Sequence, residues 1–217
     1  GLHEDFPALI GPSGSLPNRD ERDYRRNLAL LRAFPIVLDR AIGRFRQGIA
    51  SDVVETRLTT VNMIAQLDAI LAEPAADSVF AEPLVEMPED LPPARQALIR
   101  ADWLQVVNRD VLPAYRRLRQ FLAEEYLPVA RVEPGIAAMK GGAGLYRRLI
   151  LRYTTLPLEP EAIHTLGLSE VARIQGEMEH VKVQLGFTGT LPAFFNHIRT
   201  DPRFHPRTAE DLAAGYA

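Results

Sequence analysis

A chain of 217 residues, 47% hydrophobic and 24% charged, is long enough to bury a sizeable core, on the order of 70% of the surface its unfolded form exposes. Its net charge of −3 supplies no concentrated positive field, so composition gives no case for nucleic acid or an anionic membrane surface. The absence of cysteine excludes disulfides, thiolate metal sites and a cysteine nucleophile, and fits cytosol and periplasm equally.

The first segment, Gly1 to Asn18, holds Pro7, Pro12 and Pro17 with Gly11 and Gly14, and reads as a loop or extended arm. From Asp20 the period turns helical, with Tyr24, Leu28 and Leu31 on one face. Pro35 interrupts and Leu38, Ile42, Phe45 and Ile49 continue the stripe, so two helices or one kinked helix run to Gln47, with Gly48 as the stop. A third helix follows Ser51 or Asp52, with a stripe of Val54, Leu58, Val61, Ala65 and Leu71. Pro74, Pro83, Pro88, Pro92 and Pro93 then mark a surface connection and the best place for a hinge.

The next helix is long. Leu104, Val107, Val111, Tyr115, Leu118 and Leu122 step by three or four, and Pro113 is expected to bend it. Trp103 lies just off that stripe and reads as packing. Gly141, Gly142 and Gly144 make a turn into a helix reaching Tyr153. The longest helix opens at Pro160, whose missing N–H has no partner at a first helical position, and stops at Gly186. Its expected buried stripe is Ile163, Val171, Ile174, Met178, Val181 and Leu185. Thr190 and Thr208 are placed to cap two further helices.

No alternating strand pattern or internal repeat is present, so the fold class is all-α, a multi-helix array of amphipathic helices. The expected organisation is an N-terminal arm and helices over 1–73, a Pro-rich connection over 74–93, and long helices of the same lobe over 94–217. The last helix has barely begun at Ala217, which predicts a truncated product. No apolar run approaches the ~20 residues of a membrane span, and no signal-peptide pattern is visible. A cytoplasmic protein and an exported one with its signal removed both fit. Arginine clusters at Arg22, Arg25 and Arg26, at Arg116, Arg117 and Arg119, and at Arg147, Arg148 and Arg152 read as solvated helix faces.

Five histidines are the first place to look for chemistry. His3-Glu4 begins like HExxH, but Pro7 stands where the second histidine is needed and the segment reads as non-helical. Glu161–His164 and Glu177–His180 have the Glu-x-x-His spacing of di-iron bundles. Both lie on one helix, however, with the histidines about 24 Å apart at 1.5 Å per residue, too far for a shared centre. No GxSxG, P-loop or GxGxxG occurs. Gly141 to Gly144 has the composition of an anion cradle, with a flexible connector the blander reading. No catalytic or metal-binding residue is assigned within this chain.

One ordered pattern remains. Gly144, Tyr146, Thr154-Thr155, Glu161, Ile163-His164, Leu166-Gly167-Leu168, Val171, Ile174 and Glu177-Met178 follow one another, continued by Gly186-Phe187, Phe194 and Asp201-Pro202 through Phe204. That order resembles the bacterial "domain of unknown function 885" family, which is similar to HExxH zinc metallopeptidases. More loosely, Gly48-Ile49, Val53-Val54 and the helix to Leu71 look like its N-terminal region. One departure is Glu159, where the family usually has Thr or Ser before proline as a better cap. The resemblance implies the N-terminal lobe of a two-lobed, gluzincin-like fold with a deep cleft. A zinc ion held by a C-terminal HExxH and a downstream acid would activate water there to hydrolyse peptides. This chain would be the non-catalytic helical portion, one wall of the cleft, with Tyr146, Tyr153, Thr155 and His164 as candidates to line it. Its partners would be a peptide substrate and the missing C-terminal lobe, with no nucleic acid and no membrane span. The alternative is a free-standing helical module that binds a partner helix or peptide in an apolar groove.

Overall fold

The computed structural model describes residues 2–11 and 14–215, the side chains of Leu2 and His3 excepted. Among them are nine α-helices and no strand: α1 Leu2–Ile10, α2 Glu21–Ser51, α3 Arg57–Ala72, α4 Pro93–Val106, α5 Leu112–Phe121, α6 Gly142–Thr154, α7 Pro160–Gln184, α8 Leu191–Thr200 and α9 Ala209–Ala214. The chain forms two compact units, Gly1–Leu145 and Tyr146–Ala217.

The first unit is built around a continuous helical rod from α4 through α5. π turns at Val107–Val111 and Leu122–Tyr126 each end two residues before a proline, Pro113 and Pro128. The cause is steric. A proline has no N–H for the carbonyl four residues back, and its ring collides with that carbonyl. Widening to a five-residue bond, Leu112 N–H to Val107 O and Leu127 N–H to Leu122 O, makes room. Pro113 is thus accommodated by an inserted residue. The rod is the centre of the core: Trp103, Val107, Val111, Tyr115 and Leu122 are at most 1% exposed.

Four aromatic rings lock the neighbouring helices onto that rod. Tyr24 meets Trp103 edge-on, Phe34 and Phe80 flank Tyr115, and Phe45 meets Tyr126 at 4.8 Å. Their polar ends are satisfied in the interior, as burial requires. The Tyr24 hydroxyl donates to the Pro83 carbonyl (2.6 Å), the Trp103 indole to that of Phe80 (2.7 Å), and Tyr126 Oη accepts from Glu55 N–H (2.8 Å). An isolated bridge between Thr56 and Arg131 ties the end of the rod to the α2–α3 connection.

Four expectations are corrected here. Residues 2–10 are helical, although three prolines and two glycines predicted an arm. Tertiary packing overrides propensity, with Phe6 stacked on Phe34 at 3.7 Å and Ile10 fully buried. HExxH remains absent because Pro7 occupies its last position; the His3 side chain lies outside the described residues. α2 runs unbroken through Pro35 to Ser51 and is ended by Asp52 at φ 61°, not by Gly48. α3 is capped by Thr56 and faces inward with Thr60 and Leu67, leaving Leu58 and Val61 exposed. Val54, counted in the expected stripe, precedes the helix. The segment after α3 is no mere surface connection: its 3-10 turn Val79–Leu84 buries Phe80, Ala81, Pro83 and Leu84.

In the second unit, Phe187, three residues past the end of α7, packs on Phe194 of α8 at 5.3 Å, and His197 stacks on Phe187 at 5.4 Å. The expected buried stripe of α7 is not buried. Val171, Ile174, Met178, Val181 and Leu185 are 53, 40, 40, 49 and 67% exposed. Periodicity shows that a face is apolar, not that something covers it.

Candidate functional site

Tyr146 and Tyr153 stand seven residues apart on α6, two turns, and so share one face of that helix. Both are exposed, as are Thr155 just beyond the helix and His164 in the second turn of α7. No hydrogen bond or ring contact joins these four among the described residues. Each is accessible to a ligand, and none is assembled with another into a catalytic arrangement.

The α6–α7 turn is held by its own chemistry. The Thr154 hydroxyl donates to Ile150 O (2.8 Å) and accepts from Leu156 N–H (3.1 Å). Thr155 donates to the Thr154 carbonyl (2.6 Å) and has φ 62°. A β-branched residue in the left-handed region is a genuine outlier, and such strain concentrates at functional sites. Glu159, at the N-cap of α7, makes no capping bond. Its carboxylate instead pairs with Arg147 Nε of α6 (3.0 Å), which ties the two helices together across the turn.

Other sequence motifs resolve into structure. The anion-cradle reading of the glycine turn is weakened because Gly142 N–H already donates to Met139 O (2.7 Å). A Cβ on that residue would lie 1.7 Å from Ile136 O, so glycine is needed for packing. His164 and His180 are both exposed on α7. No three His, Asp or Glu side chains among the described residues converge to hold a metal, so the donor set for the implied zinc is not found in them. The arginine clusters are partly explained by exposed ion pairs: Arg117 with Asp39 (3.0 Å), Arg119 with Asp68 (2.8 Å), and Arg25 with Glu21, which Arg95 also binds. Hydrogen bonds from Arg95 and Arg25 hold the Glu21 carboxyl below its ordinary range. No described helix is long and apolar enough to cross a membrane.

A feature missed in the sequence is a cavity of about 460 Å³ within the first unit. Its walls are Leu38, Phe45, Met63, Leu118 and Leu122, and Thr59, Asn62 and Gln66 stand at one side. The available signal was the spacing of those three polar residues, which repeat by three and four along α3.

No curated protein is significantly similar to this chain. Among solved structures, the chain is similar to one described as "the putative lipoprotein from Colwellia psychrerythraea", with a TM-score of 0.86 at 24% identity, over 99% of this chain and 37% of that one. At that identity the likeness establishes the fold, and the chain spans little more than a third of that protein's length. The model of the family described as "Bacterial protein of unknown function (DUF885)" matches residues 4–217, almost the whole chain, and the chain belongs to that family.

Proposed function

We propose that this chain is the N-terminal, non-catalytic helical portion of a zinc-dependent peptidase and forms one wall of its substrate cleft. The observation that carries the reading is the ordered pattern from Gly144 to Phe204, which resembles a family similar to HExxH zinc metallopeptidases. The greater length of the matched solved structure leaves room for a second, zinc-bearing, gluzincin-like lobe. Zinc would supply the activated water there; the residues of this chain would bind and orient peptide.

Tyr146, Tyr153, Thr155 and His164 are the side chains we assign to the cleft wall. Their exposure leaves them open to a peptide backbone or side chain, and the strain at Thr155 marks the turn beside them. The test is hydrolysis of a mixed peptide library by the full-length protein with zinc supplied, alongside metal analysis. Zinc-dependent cleavage, with KM raised several-fold by Tyr153→Ala at unchanged kcat, is the expected result. A full-length protein that holds no metal and cleaves nothing overturns the peptidase reading and leaves the family assignment intact. The exposed apolar residues of α7 favour a second reading, a free-standing module that binds a partner helix. A native stop codon after Ala217 with a stable monomer would support it.

A further inference from the structure

Five of the large apolar residues exposed along α7 and at its C-cap keep one register, while Leu166, Leu168 and Val183 are exposed off it. Val171, Ile174, Met178, Val181 and Leu185 alternate steps of three and four, the 3.5-residue period of a seam packed by another helix lying nearly along it. Surface helices that merely carry isolated leucines do not keep that register. The seam is about 21 Å long at 1.5 Å per residue, so a covering helix of about fourteen residues would match it. α8 packs through Phe194 on Phe187 just past the C-terminal end of α7, yet all five seam residues remain at least 40% exposed. One step before Val171 the face continues at Gly167, where an added Cβ would meet nothing within 4 Å, leaving space for close approach of a backbone.

We infer that this seam is the docking face for a helix from the part of the polypeptide beyond Ala217, packed at the shallow crossing angle of about 20° that a three-four ridge pattern prefers. The solved structure sharing this fold has well over half of its length outside the match, which supplies a source for such a helix. A second copy of the chain fits less well. Glu170 and Glu177, both paired with Arg173 (2.8 and 2.6 Å), line one flank of the seam, and an antiparallel copy would bring two such carboxylate pairs together. The inference rests on the presence of a second lobe, as the proposed function does, but not on that lobe's chemistry.

Residues 1–217 contain no cysteine, so a single cysteine introduced among them is identified by the mass of its own peptide. Ile174→Cys, Val181→Cys and Met178→Cys sample the seam, and Gly176→Cys samples the opposite side of α7. Each is labelled with maleimide in native buffer and in urea, with modification read by peptide mass spectrometry. The seam cysteines are expected to react at least about tenfold more slowly in the native protein relative to urea than Gly176→Cys does. Using three seam positions guards against one variant misfolding. Equal reactivity at seam and control positions overturns the inference, as does a gene that ends at Ala217. Protection that disappears on dilution also overturns it and assigns the seam to a second copy. Loss of peptidase activity alone leaves it standing, because labelling does not depend on catalysis.

Discussion

Thr155 shows how much one backbone angle can report. A left-handed residue after a helix is usually glycine, because a Cβ there approaches the neighbouring carbonyl at a cost of about 1–2 kcal/mol. Thr155→Gly should therefore stabilise the second unit by about 1 kcal/mol, a gain read from urea denaturation followed by circular dichroism. A second residue-scale test lies at the end of α8. Hydrogen bonds from Arg203, side chain first and backbone second, hold the Asp201 carboxyl down at about 2. A depressed carboxylate favours the folded state above its ordinary value of 3.8, and this contribution is lost as pH falls toward 2. Carboxyl NMR of Arg203→Gln should show the Asp201 midpoint moving up toward 3.8. Thr155 and Asp201 were both visible as residues in the sequence, but neither the sign of φ nor the grip of Arg203 was. Those depend on how the chain returns on itself.

At the scale of elements, caps and stops were legible because their chemistry is local. Thr190 accepts from Ala193 N–H and Thr208 from Asp211 N–H, and Gly186, which stops α7, has φ 72°. What failed was anything decided by how the chain packs back on itself. Gly48 looked like a stop, yet it lies inside α2, where the chain folds back so closely that an added Cβ would stand 2.7 Å from Val53 O. Gly43, on the same helix, has nothing within 4 Å. The two glycines should therefore respond oppositely to alanine. Gly43→Ala is expected to stabilise by about 0.5–1 kcal/mol through helix propensity. Gly48→Ala should destabilise by about 1–2 kcal/mol, because a backbone contact has to move. Equilibrium denaturation of both variants checks the sign. The π turns show the same limit. Pro113 announced a disturbance, but not the inserted residue and five-residue bond that accommodate it.

For the molecule as a whole, the absence of strand periodicity was enough to give the all-α class, and the family pattern was readable across the second unit. The candidate site was less legible. Four residues could be named from the resemblance, but sequence spacing says nothing about what stands opposite them. The first unit carries a collective pH response. Burial raises the phenols of Tyr24, Tyr115 and Tyr126, and for Tyr126 this outweighs the hydrogen bond with Glu55. A phenol raised in the folded state supports folding below its ordinary value of 10, and the support is lost as pH rises through the folded value. Urea midpoints should accordingly fall between pH 9 and pH 11, roughly spanning the ordinary tyrosine range. Phenolate absorbance should appear together with unfolding rather than before it.

Trp103, the single tryptophan, is 0% exposed and anchored to a carbonyl inside the first unit. Its intrinsic fluorescence is therefore a private gauge of residues 1–145. Thermal melts followed by emission and by helical ellipticity would coincide if the two units unfold together. They would separate if the tail of the chain melts on its own, so an optical experiment without any added label can count the cooperative blocks.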